Sequence, residues 1–128
     1  MSTELNIPIS EEEIRALHCG DLVYLNGTIV TARDAGHKFM VEEEPDFLKP
    51  LLQGGVIYHC GPVVKKEGEK WTFVAAGPTT SIREEPYQGL VIERYGVRGV
   101  IGKGGMGRQT LEACRRFGAV YFHAIGGC

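Results

Sequence analysis

Residues 97–117 read VRGVIGKGGMGRQTLEACRRF, and the fold class follows from their order. VRGVI has the length and β-branched content of a short strand. Gly102, Gly104, Gly105 and Gly107 then crowd one stretch, which makes residues 102–107 a loop. RQTLEACRRF follows as a helix. The same order stands one step earlier. WTFVAA reads as a strand that ends at Gly77-Pro78, and Ser81 with Glu84 has capping-box spacing for a helix of about ten residues. AVYFHAI, residues 119–125, supplies a last strand running into Gly126-Gly127. Strand, turn and helix twice over predict an α/β fold, a mixed or partly parallel sheet with packed helices.

Upstream the signals are shorter. Ser10 and Glu13 make another capping box, opening a helix to about Leu17. LVYLNGTIVT, residues 22–31, is strand-like but broken by Asn26-Gly27, a tight-turn dipeptide, and predicts a hairpin of two short strands. Asp34 to Val41 fits a short helix; Glu42, Glu43, Glu44 and Pro45 form a solvated break before the amphipathic DFLKPLLQ. Gly54-Gly55 opens a strand at VIYHC, and Lys65 to Lys70 is a polar turn. Of 18 glycines, 11 fall from Gly77 onward, so turns dominate the late half. Residues 1–128 are the length of a single domain.

A formal charge of −2 exerts no global pull on nucleic acid, so any anion site must be local. MSTELNIPIS lacks a signal-peptide pattern, and no run approaches the roughly 18 apolar residues of a membrane span. A cytoplasmic location is the expectation. Cys19, Cys60, Cys114 and Cys128 form no CxxC pair and read as free buried thiols; no metal ligand is assigned to this chain.

Three loci carry candidate chemistry. In Gly77-Pro78-Thr79-Thr80-Ser81-Ile82-Arg83 the hydroxyls can cap exposed N–H groups where a strand hands over to a helix. Arg83 in the first turn opposes the helix dipole, a conflict that an anionic ligand would remove. Lys103 sits in the glycine-rich loop with accessible backbone around it. Arg33, in TARDAGHK, ends a strand; its alternative is a surface ion pair with Asp34. His37, His59 and His123 read as packed or surface histidines.

The loop 102–107 also matches GxGxxG, but no acidic residue follows Glu112, so the ribose contact of a dinucleotide site is missing. A Walker loop fails at Val97 and Gly104. VIGKGG before a helix resembles the backbone-clamping loop of KH nucleic-acid-binding modules, although Gly96 and Gly99 favour a strand before it. A nucleotide-binding or KH-like module is therefore the alternative function.

Taken in order, TARDAGHK, IYHCGPV, AAGPTTSIR, VIGKGGMG and GAVYFHAIGG resemble the β subunits of the class I fumarase and L(+)-tartrate dehydratase family, from about residue 12 to 127. The resemblance implies a swivelling β/β/α domain seated against an alpha subunit that carries a [4Fe–4S] cluster. It implies a hydro-lyase acting on a small dicarboxylate, fumarate/malate or tartrate, and active only with that partner. By motif position, Arg33, Arg83 and Lys103 are the family's substrate-binding cations and Thr79 its proton-transfer residue. Family members commonly continue beyond the GAVYFHAIGG equivalent, so the chain is expected to be a C-terminally shortened form or a fragment. A non-catalytic scaffold subunit is the remaining alternative.

Overall fold

Four strands run parallel in the order β3-β4-β7-β8 in the computed structural model, which describes residues 2–124. They are β3 (Val30–Thr31), β4 (Val56–Tyr58), β7 (Gly99–Gly102) and β8 (Val120–His123). All are parallel because the chain returns through helices between them. These are α2 (Asp34–Glu43) and α3 (Lys49–Leu52) between β3 and β4, α4 (Glu85–Tyr95) before β7, and α5 (Arg108–Phe117) before β8. Before the sheet come β1 (Ser2–Asn6), α1 (Glu11–Arg15) and β2 (Leu22–Asn26). An antiparallel hairpin, β5 (Val63–Glu67) with β6 (Lys70–Ala75), leaves the end of β4.

Strand alternation divides the interior in two. Ile57 and Val100 are in register and face the helices, burying against Met40, Leu52, Val91, Ile92 and Tyr95. Their neighbours Val56 and Ile101 face the other way, towards Leu5, Ile9 and Ile14. Each fully buried Leu, Ile or Val contributes about 1.5–3 kcal/mol, so both faces stabilise the fold. Gly99 is small because a Cβ there would lie 2.6 Å from the Phe122 ring on β8.

The α/β class and the helices over Asp34 to Val41 and RQTLEACRRF match expectation, and α1 carries the capping box of Ser10 and Glu13. Parallel and antiparallel pairings both occur, but in separate sheets. The Asn26-Gly27 hairpin does not form. β2 instead pairs in parallel with β1, Ser2 opposite Leu22 through Asn6 opposite Asn26, and β3 belongs to the four-stranded sheet. Gly27, at φ +122°, serves close approach: its added Cβ would lie 3.0 Å from Ile7 Cβ. The turn placed at Lys65 to Lys70 is mostly strand, reversing at Gly68 and Glu69.

The capping box at Ser81 and Glu84 is also absent. Those residues form a 3-10 turn ahead of α4, with Thr80 making no side-chain cap. Both side chains are buried, so neither can serve an exposed helix end. Cys60 is buried and Cys114 half-buried, but Cys19 is exposed in the turn after α1, against the reading of buried thiols. Cys128 and the tail of the last strand beyond Ala124, including Gly126-Gly127, lie outside the described residues. Among those described, no helix is long and apolar enough to cross a membrane.

Candidate functional site

Parallel strands present their carboxyl ends on one edge, the usual place for a ligand in such sheets. Here that edge is built from four separate segments. Ala32 N–H donates to Tyr58 C=O at 3.0 Å, setting Arg33 beside the end of β4. His59 N–H donates to Ile101 C=O at 2.8 Å, and Thr79 N–H to His59 C=O at 2.7 Å. Ser81 N–H donates to Lys103 C=O at 3.1 Å, and Thr80 and Lys103 form a parallel bridge. The backbone thus brings Arg33, Thr79 and Lys103 to one edge, with Arg83 in the turn that follows.

Arg33 is exposed at the N-cap of α2, and its side chain lies across Gly61: a Cβ on Gly61 would be 2.6 Å from Arg33 Cδ. Arg83 is exposed, its Nε 3.9 Å from Asp34 Oδ2. The ion pair of Asp34 is therefore with Arg83 rather than with its neighbour Arg33. That carboxylate also relieves part of the helix-dipole conflict at Arg83. Thr79 and Lys103 are half-buried. Gly104 and Gly105, at φ +82° and +79°, carry the loop after Lys103 through backbone that only glycine adopts freely.

Beneath this edge lie a buried acid, Glu84, set against the exposed Asp34, and a buried hydrogen-bond chain. Glu84 is fully buried, and burial together with the adjacent Asp34 carboxyl pushes its pKa up to about 8. As two carboxylates the pair could only repel; a proton on Glu84 lets it donate to Asp34, whose pKa is held low by that bond and then by Arg83 and Arg33. Among the described residues no donor reaches either Glu84 oxygen.

The chain of hydrogen bonds starts at Arg33 C=O, 2.8 Å from His37 Nδ1. Gln88 Oε1 sits between the rings, 2.8 Å from His37 Nε2 and 2.7 Å from His59 Nε2. His59 Nδ1 lies 2.8 Å from Ser81 Oγ, which is 2.9 Å from Tyr121 Oη. Gly105 N–H, in the Lys103 loop, donates to that phenol at 3.3 Å.

Proton positions follow from the first link. Burial holds His37 below its ordinary value and His59 down to about 4, so both rings are neutral near pH 7. Because a carbonyl only accepts, His37 carries its proton on Nδ1 and its Nε2 must accept. Two accepting nitrogens require the Gln88 carboxamide flipped end for end from that placement, so that its NH2 faces both rings, and His59 then carries its proton on Nδ1, towards Ser81. With Oε1 towards the rings, His37 would have to be an imidazolium and the Gln88 NH2 is buried without a partner; the turned amide keeps both rings neutral and leaves only the oxygen so placed.

His37 and His59 are thus packed, as their sequence context implied, and His123 is exposed. Gln88 and Tyr121 were not singled out by sequence reasoning, and Glu84 was read only as half of a capping box. A signal existed: Glu84, Gln88, Val91 and Tyr95 share one helical stripe, and two polar residues interrupt its apolar run.

The nucleotide alternative meets an obstacle. The carboxylate of Glu85 already occupies the N-terminus of α5, accepting from Gly107 N–H and Gln109 N–H at 2.9 Å each and from Thr110 Oγ1 at 2.6 Å. A phosphate would meet a negative charge there instead of free N–H groups. The loop also joins strand β7 to α5, whereas a KH clamp requires a helix before it.

Fold and edge together define an α/β domain whose cations collect at the carboxyl ends of a parallel sheet. The chain belongs to the Fumarase C-terminus family, which it matches over residues 1–128. It is 54% identical over 125 residues to a Geobacillus stearothermophilus protein named, provisionally, as a class I fumarate hydratase, covering 96% of this chain and 24% of the relative. It is 42% identical over 131 residues to the L(+)-tartrate dehydratase subunit beta of Escherichia coli (strain K12), covering all of this chain and 63% of that subunit. The chain therefore spans a quarter of one relative and under two thirds of the other.

Proposed function

We propose that this chain is the dicarboxylate-binding part of an iron–sulfur hydro-lyase, the beta subunit of a fumarate hydratase or tartrate dehydratase, a swivelling β/β/α domain working in the cytoplasm. The observation that supports the reading is that the backbone sets Arg33, Thr79 and Lys103 at one sheet edge, with Arg83 in the turn that follows, in a chain of net charge −2. A dicarboxylate brings two negative charges, and removing a proton beside a carboxylate builds more, so preplaced cations favour the transition state over the ground state. Thr79 is the proton-transfer residue by family position; a hydroxyl does this only if a neighbouring cation lowers its pKa, and Lys103, bridged through the backbone to the adjacent Thr80, is the candidate.

Among the described residues no three His, Cys, Asp or Glu side chains gather as a metal-binding set. By the family resemblance the [4Fe–4S] cluster is assigned to an alpha subunit, where it would act as a Lewis acid on the substrate hydroxyl. This chain binds and orients the carboxylates.

The test is reconstitution with the cluster-bearing partner under anaerobic conditions. Arg83→Ala is expected to lower kcat/KM by about 10²-fold or more, the scale of losing one preplaced charge. Activity within twofold of the unsubstituted complex sinks the assignment of Arg83, and a complex that binds dicarboxylates without turnover makes the chain a scaffold.

A further inference from the structure

The geometry points to Gln88, His59, Ser81 and Tyr121 as positioning residues that lock the four candidate site residues into one rigid unit. This rests on the functional reading above. Each link ends on a segment that carries a site residue. His37 Nδ1–H holds the carbonyl of Arg33 itself. His59 holds Thr79 through its backbone and Ser81 through its ring. Ser81 opens the turn that carries Arg83 and donates its N–H to Lys103 C=O. Tyr121 Oη receives Gly105 N–H from the loop after Lys103.

Burial makes the chain directional. His37, His59, Ser81 and Gln88 are all fully buried, so no water competes for the bonds. Fixing the proton of His37 at Arg33 fixes every later proton as far as Ser81, whose hydroxyl is left to donate to Tyr121. The space is equally committed. A Cβ on Gly102 would collide with Ser81 Oγ and lie 2.9 Å from His59 Nδ1, so the residue before Lys103 is glycine to let the chain pass. Such a network matters for catalysis because misplacing reacting groups by about 1 Å costs on the order of 10²-fold in rate.

Among the described residues Gln88 and Tyr121 share no hydrogen bond and are linked through His59 and Ser81. In the reconstituted complex, Gln88→Met and Tyr121→Phe are each expected to lower kcat/KM by about 10-fold or more, and the double variant no further than the worse single. Wild-type kcat/KM in the folded single variants, whatever their Tm, overturns the proposal by leaving the network a purely structural role. So do effects that simply multiply. Should Gln88→Met fail to fold, Tyr121→Phe alone decides, since it removes one hydroxyl from a half-buried side chain.

A second readout is independent of turnover. Ring nitrogen NMR of the full chain is expected to show His37 and His59 neutral with protons on Nδ1, and the His59 signals moving in Tyr121→Phe. Unmoved His59 signals break the connection. An inactive wild-type complex with the expected ring signals would instead count against the hydro-lyase reading alone.

Discussion

Glu84 sets the charge balance under the site. Its folded value of about 8 stands above the ordinary 4.5, so the unfolded chain gives up this proton first as pH rises. The stability it contributes is complete below about pH 4.5 and is lost as pH climbs towards 8. His59 runs the other way. Its value falls from 6.5 to about 4, so the stability of keeping it neutral is present above 6.5 and lost as pH falls towards 4. Glu84→Gln keeps the volume and removes the titration. Between pH 5 and 8.5 the unsubstituted chain is expected to lose Tm on the order of 5 °C more than this variant. Parallel Tm profiles would show Glu84 ionised throughout. Little of this was legible in the sequence, where Glu84 passed for half of a capping box; only the packing of α2 against the turn shows that it is buried beside Asp34.

At the scale of elements, helix ends are served by unexpected partners. Ser81 faces inward to His59, and α4 starts without a side-chain cap. α5 starts at Gly107, which has no side chain, and is capped across space by Glu85 of α4. Glu85→Ala is expected to destabilise the chain by about 1–2 kcal/mol, the upper range for a lost cap, in urea unfolding with an unchanged m-value. A loss below a few tenths would mean that water replaces the carboxylate at no cost. Sequence reading located α2, α5 and the strand cores of β4, β6, β7 and β8 from local composition and flanking turn signals, which in β6 sufficed although all of its residues are exposed. It missed β5, whose residues are exposed on both faces and so show no alternation, and it mispaired β2, whose partner β1 precedes it by some 20 positions.

For the molecule as a whole, the two apolar clusters are the two faces of shared strands. Val56 belongs to one and Ile57 to the other, one residue apart on β4. They should unfold together: far-UV and near-UV circular dichroism are expected to give coincident transitions, and Leu5→Ala or Ile57→Ala to shift both by about 2–5 kcal/mol. Separate midpoints would mean that the β1–β2 face melts independently. The sequence by itself determined the alternation of strand and helix and the ordered motifs that mark the family, because these are local patterns of periodicity, turn chemistry and spacing; Arg33, Thr79, Arg83 and Lys103 are candidates by their positions in those motifs. Only the tertiary structure decided which strands pair, that Asp34 serves Arg83, that Glu85 closes the α5 terminus, and that Gln88 joins two histidines. Those depend on which side chains meet across elements far apart in the chain, and spacing along a sequence carries no such distances.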